Sequence, residues 1–594
     1  MCNQKNSNIM SVKIKPAEGG SRKNRGCMWA IIVCAVLYFG SIICVSMMMG
    51  SMFGGSSANL DDKTVYRLDL KGVLVEQAKE DNPLAAFTSS MPYGRNNVET
   101  VGLDDLLSNI TLAKDDERVK GIYLKGGELS VSPASAKALR DALLDFKESG
   151  KWIIAYAESY GQMNYYIASV ADKIYLDEIG AVSWHGLAGT KGYYKRILDK
   201  IGVEMQVLKV GTFKSAVEPF FRTSMSDADR KQTEVYLYGI WNNMTAAVSE
   251  ARNIPVEKLN AYADEYMDVQ PQQKYIEYGL IDSLIYRQDM DTILKNLIGD
   301  EDYTILNTSK MASVERKKNK AKDKIAVVYA EGEITDETGD GIVGTKMLKT
   351  LNKVLKNDEV KAMVFRVNSP GGSADASEQI NHAVKLIQEK GIPVVVSMGD
   401  YAASGGYYIS SEADYIYAEP TTLTGSIGIF GLIPNYKGIR EKIGYDIDEV
   451  STNKHAALQV HMTMQGMDPS EYALMQNMIE RGYDLFTRRC AEGRHMSQDS
   501  IKAIGEGRVW LGQDALRLGL VDDLGNINDA IAKAAQLAEL DDYALVYYPK
   551  PVDPFEEFMK MLDNSTDEEK MIARLREMVK EPRILMLAPV VEIK

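Results

Sequence analysis

Cysteine is scarce in this 594-residue chain, and most of it lies at one end. Of five cysteines, Cys2, Cys27, Cys34 and Cys44 precede or lie within the first apolar segment, and only Cys490 is left for the rest. A disulfide framework or a cysteine metal site is therefore excluded there. Histidine is as sparse: His185, His382, His455, His461 and His495. No G-x-S-x-G elbow and no H-E-x-x-H pair is present, so no histidine has a recognisable catalytic setting. Positive charge is in deficit as well. A net charge of −14 argues against nucleic acid as the main partner.

What remains is ordinary globular composition, 45% hydrophobic and 26% charged, in a chain too long for one core. One stretch differs. Residues 27–50, "CMWAIIVCAVLYFGSIICVSMMMG", carry no charge and are long enough to span a bilayer as a helix. Before them, residues 1–26 hold Lys5, Lys13, Lys15, Arg22, Lys23 and Arg25 against Glu18 alone. This basic tail stays cytoplasmic by the positive-inside tendency, and the rest of the chain goes outward. A cleaved signal peptide ending near "SSA" (56–58) is the competing reading. The apolar run is longer than a usual signal core, which favours an uncleaved single-pass anchor.

The chain repeats itself at a spacing of about 240 residues, too long for a solenoid. "DERVKGIYLKGG" (116–127) resembles "NDEVKAMVFRVNSPGG" (357–372), and "YYIASVADKIYL" (165–176) resembles "YYISSEADYIYA" (407–418). The pattern predicts two related halves, 60–310 and 325–550, joined by a polar, basic linker at 311–324. A helical tail is expected over 551–594, an amphipathic helix pair followed by a short apolar end. Within the second half, "KIAVVYAEGEI", "KAMVFRV" and "IPVVVS" read as buried strands alternating with helices. This predicts an α/β fold with mostly parallel strands.

The halves differ where chemistry would sit. The second has "NSPGGSADAS" (368–377) and "YAASGGYY" (401–408); the first lacks the Pro-Gly-Gly and has "YGQMNYY" (160–166). Ser404 is thus flanked by alanines and glycines, whereas Gln162 or Met163 stands opposite it. A small-residue turn would explain the stretch. So would a nucleophile at a helix N-terminus, with backbone N–H groups beside it. A serine nucleophile needs a base. Lysine can serve if burial keeps it neutral. Lys214 in "GTFKSAVEPF" (211–220) has small and apolar neighbours. Lys454 in "VSTNKHAALQV" (450–460) falls at the matching place in the second half, in a more polar setting, and spacing alone does not choose between them.

With "NSPGGS", "DYAASGGYYIS", "TGSIGIFG" and "GTFKSAVEPF" all present, the sequence resembles the signal peptide peptidase A (protease IV) family, in its long two-half bacterial form. The resemblance covers roughly residues 60–550 and adds several implications. Fold: duplicated Clp/crotonase-like β-β-α spiral domains behind the anchor. Chemistry: a Ser–Lys dyad using no metal or cofactor, with Ser404 as nucleophile, Lys214 as general base, Gly371, Gly372 and Gly405 as oxyanion hole, and Ser426 orienting the lysine. Setting: a homotetramer at the bacterial inner membrane with its catalytic part on the periplasmic side, acting on released signal peptides and other unfolded or apolar peptides. Two alternatives stand beside this, a crotonase-like acyl-CoA enzyme and an inactive membrane-anchored scaffold.

Overall fold

The apolar runs of the two halves form two separate, mostly parallel sheets. The computed structural model describes residues 58–78, 99–316 and 319–549, and two short strands, Ile584–Leu587 and Glu592–Ile593. The expected basic tail and anchor, 1–26 and 27–50, lie outside the described residues. Among the described residues no helix is long and apolar enough to cross a membrane.

In the first half, Thr64–Asp69 pairs in parallel with Val119–Lys125 and Thr304–Asn307, and the sheet continues through Trp152–Ala157, Lys173–Leu176 and Ser283–Leu284. In the second, Lys324–Glu331 pairs in parallel with Val360–Ser369 and Ala544–Tyr548, continuing through Val394–Ala403, Tyr415–Ala418 and Asp523–Leu524. The strand order is the same in both. Helices cover these sheets, so strands such as Val394–Ala403 are largely buried on both faces, and this one opens on the apolar run Val394–Val396. The fold is mixed α/β.

A third sheet crosses between the halves. Glu204–Lys209 lies antiparallel to Phe430–Asn435 through six residue pairs, Glu204↔Asn435 to Lys209↔Phe430. On the other side of Phe430–Asn435 lies the backbone of Ile584–Leu587, which also pairs with Gly371–Ser373. The tail expected to be helical over 551–594 is therefore extended at Ile584–Leu587 and Glu592–Ile593, where it completes sheets; the rest of it lies outside the described residues.

A buried ion pair also ties the halves. Arg366 donates to both carboxylate oxygens of Glu76, at 2.8 and 3.1 Å, and both side chains are almost wholly out of water. Its other nitrogen donates to Ser397 Oγ and the Met398 carbonyl. Nearby, Asp400 accepts the backbone N–H and hydroxyl of Ser135. Such a pair is costly to break, because the surviving charge stays buried. Arg366→Met should lower the unfolding free energy by about 3–5 kcal/mol. Adding Glu76→Leu should recover most of it. Denaturant unfolding of both variants tests this; equal stabilities for single and double would contradict it.

Candidate active site

The strand expected at "IPVVVS" runs on through Ala403, because Tyr401, Ala402 and Ala403 pair with Leu423, Thr424 and Gly425. Ser404 is thereby set at an abrupt turn into the helix Gly405–Ser410. Its φ of 57° and ψ of −116° are rare for a residue with a side chain. That geometry costs of order 1–3 kcal/mol and persists because the surroundings enforce it. The Ser404 N–H donates to the Gly425 carbonyl at 2.8 Å.

Lys214 comes from the other half. The strand Glu204–Lys209 ends shortly before it, and the cross-sheet pairing delivers it beside Ser404. Lys214 Nζ is hydrogen-bonded to Ser404 Oγ at 2.8 Å and lies 3.1 Å from both the carbonyl and the hydroxyl of Ser426. Ser426 Oγ in turn donates to the Gly507 carbonyl at 3.3 Å. All three side chains are fully buried. Burial alone drives the Lys214 amine well below lysine's ordinary 10.5, since an ammonium there would lose its water. The neutral amine is what a general base requires.

Glycines make room for this. A Cβ on Gly507, at φ +77°, would come within 2.6–2.8 Å of Lys214 Cβ, Cα and N. A Cβ on Gly428 would meet Gly507 Cα at 2.8 Å and Lys214 Cδ at 3.2 Å. The lysine stem is walled by backbone on these sides. Gly428 falls in "TGSIGIFG"; Gly507 belongs to no motif noted in the sequence.

The expected oxyanion glycines are also brought together. A Cβ on Gly405 would lie 3.1 Å from Gly372 N and 3.2 Å from Gly371 Cα. Gly405 opens a helix, where first-turn N–H groups have no intrahelical partner. The Gly371 N–H instead donates to Ser369 Oγ at 3.2 Å, a partner that sequence reasoning missed.

Lys454 is exposed, and no bond links it to this cluster. Its charge acts on Asp468 instead. The histidines are elsewhere too: His461 sits between Glu471 and Glu449, at 2.6 and 2.7 Å, which raises its pKa. Among the described residues no cluster of His, Cys, Asp or Glu is placed to hold a metal ion.

The matching place in the first half is filled. Tyr165 and Tyr407 make the same hydrogen bond, to the carbonyls of Leu280 and Leu520. Three residues before each stand Gln162 and Ser404. Gln162 spends its amide on the N–H groups of His185 and Gly186 and the Gly186 carbonyl, closing that position.

A strained serine, a neutral buried lysine and adjacent backbone donors can carry out acyl transfer, and comparison with known proteins agrees. The model of peptidase family S49 matches twice, at residues 145–299 and 387–541. The chain belongs to peptidase family S49. It is a serine protease. Protease 4 of Haemophilus influenzae is 36% identical over 536 residues, covering 86% of this chain and 85% of that protein. The chloroplastic serine protease SPPA of Arabidopsis thaliana is 31% identical over 494 residues, 80% of this chain and 69% of its own. Among solved structures, a mutant of the 1510-N membrane-bound stomatin-specific protease overlaps 39% of this chain and 99% of its own. It is 16% identical with a TM-score of 0.26, too slight a likeness to argue from. Family membership favours proteolysis over the acyl-CoA alternative.

Two outcomes follow from the buried amine. Lys214→Met should stabilise the fold at pH values below 10.5, where the unfolded lysine binds its proton more readily than the native one. The gain should shrink as pH rises towards 10.5. Melting temperatures across this range test the sign. Gly507→Ala should lower kcat at least about tenfold in a folded protein, because its methyl meets Lys214 backbone rather than a flexible tip; unchanged kcat would show that the lysine tolerates displacement.

Proposed function

We propose that this S49 peptidase is a Ser–Lys endopeptidase that degrades released signal peptides and other apolar, extended peptides at a membrane. The observation that carries the reading is the 2.8 Å hydrogen bond between the buried Lys214 amine and Ser404 Oγ; with the amine neutral, the hydroxyl donates and the Nζ lone pair accepts. In it, neutral Lys214 takes the hydroxyl proton as Ser404 Oγ attacks the scissile carbonyl. The Gly405 N–H, with Gly371 and Gly372 beside it, faces the developing oxyanion. The Lys214 ammonium then protonates the leaving amine, and water, activated by the same lysine, frees the acyl group. Ser426 holds the amine in line throughout.

The third sheet supports the substrate class. The edges of Gly371–Ser373 and Phe430–Asn435 flank the site, and an extended chain segment, Ile584–Leu587, pairs with both. A peptide taking the place of Ile584–Leu587 on those edges would be gripped through its backbone, with side chains in alternate pockets. Apolar signal peptides suit this mode. The reading includes the single-pass anchor at 27–50, a periplasmic catalytic part, the homotetramer and the Clp/crotonase-type spiral, which rest on the sequence and the family resemblance.

The purified protein should cleave a fluorogenic apolar peptide. Ser404→Ala and Lys214→Ala should each lose at least about a thousandfold in kcat, while Lys454→Ala keeps full activity. Activity should fall as pH drops below the native pKa of Lys214, because protonation removes the base. An active Lys214→Ala, or a dead Lys454→Ala, would overturn the assignment of the base.

A further inference from the structure

Behind the base lies a buried polar cluster that touches neither Ser404 nor the Lys214 amine. Ser215, the next residue, donates through Oγ to Asp229 Oδ1 at 2.5 Å. Lys191 Nζ donates to Asp229 Oδ2 at 2.6 Å, and that ion pair is 4% and 0% exposed. Gln232 donates through Nε2 to the Phe213 carbonyl at 3.1 Å and to Ser215 Oγ at 2.9 Å. Its Oε1 accepts the Val509 N–H at 3.3 Å. Asp229 and Gln232 lie one turn apart on the helix Asp227–Arg252, whose start is capped by Ser226 Oγ accepting the Asp229 N–H at 3.1 Å. Glu218 in turn holds Ser226.

Burying a carboxylate, an ammonium, an amide and a hydroxyl is expensive, and apolar residues would pack the same space at less cost. The connectivity suggests what the cluster is for. Lys214 reaches Ser426; the Ser426 N–H donates to the Arg508 carbonyl at 2.7 Å; the next residue, Val509, donates to Gln232; and Gln232 returns to Phe213 and Ser215, the two neighbours of Lys214. The ring closes around the base. It ties the Phe213 carbonyl and the Ser215 hydroxyl, on either side of Lys214, to the Arg508–Val509 segment that also holds Ser426.

We propose that Gln232, Asp229 and Ser215 are positioning residues for Lys214, and that Lys191 is present to cancel the Asp229 charge beside a base that must stay neutral. The inference rests on the reading of Lys214 as general base. Without Lys191, the Asp229 carboxylate would favour an ammonium on Lys214 and raise the pH at which the base is switched off. Other charged or titratable groups face this region. Glu218, Arg222, Arg230 and Tyr193 lie on the Asp229 side with Tyr236. Glu506 meets the loop through its carbonyl, which accepts the Phe213 N–H, and the Arg508 guanidinium stacks 5.1 Å from the Phe213 ring. None of these bonds to the Asp229 carboxylate; Lys191 does.

The test measures kcat and KM for a fluorogenic apolar peptide across pH, using the full chain with melting temperature as the check on folding. Gln232→Leu and the milder Ser215→Ala should each lower kcat, the former at least about tenfold, with KM within about twofold of the parent. Lys191→Met should move the acid midpoint of kcat/KM upward by about one pH unit. Lys191→Met combined with Asp229→Asn should move it back, a rescue that a merely structural role would not give. Unchanged kcat in whichever of Gln232→Leu and Ser215→Ala folds overturns the proposal, and so do coincident acid midpoints for the single and double charge variants. Lys214→Ala is run alongside. If it retains activity, the base assignment fails and the inference with it; if it is dead while the cluster variants behave as parent, only the inference fails.

Discussion

Everything at this site depends on keeping one amine dry. An ammonium at Lys214 would have no water to solvate it, and a hydrated amine would keep its proton at neutral pH. The fold meets this need with backbone rather than bulky side chains. Gly428 and Gly507 close on the lysine stem, Ser426 supplies two polar partners of the amine, and Ser404 is the third. The arrangement leaves no place for an acid beside the amine, as a histidine-based triad would require. The paucity of histidine in the chain is consistent with this.

The two halves have divided the work unequally. Both keep the same strand order, and both keep the tyrosine that ties the central helix to a distant carbonyl. In the first half the seat of the nucleophile is occupied by Gln162, which satisfies itself on the 185–186 backbone. That half instead contributes Lys214, the base of the proposed mechanism, and, through Glu204–Lys209, the strand that carries it across. The buried Glu76–Arg366 pair adds a second tie between the halves, directional where apolar packing is not.

Much of this is legible in the sequence, for identifiable reasons. Ser404 stands out because small residues flank it and because the other half lacks it. The alternation of strands and helices, and its duplication, are written in local apolar runs. Lys214 and Lys454 are not separable by spacing, because what distinguishes them is burial, a property of the cross-sheet pairing and not of either segment. Gly507 and Gln232 are invisible for the same cause: each matters only through Lys214, far along the chain or on another element. The strand before Ser404 is longer than its apolar run because "DYAA" gains its partners from Leu423–Gly425. The short apolar end of the chain carries no partner in its own sequence, yet Ile584–Leu587 pairs with edges offered by two other strands.

Ser404 and Lys214 are 190 residues apart in the chain, on opposite sides of the junction between the halves. A ribosome delivers the lysine long before the serine. Until the segments carrying Ser404, Ser426 and Gly507 have followed it, Lys214 has neither its hydroxyl partners nor the backbone that walls its stem. On the proposed reading, proteolytic competence therefore arrives only once both halves are made and joined.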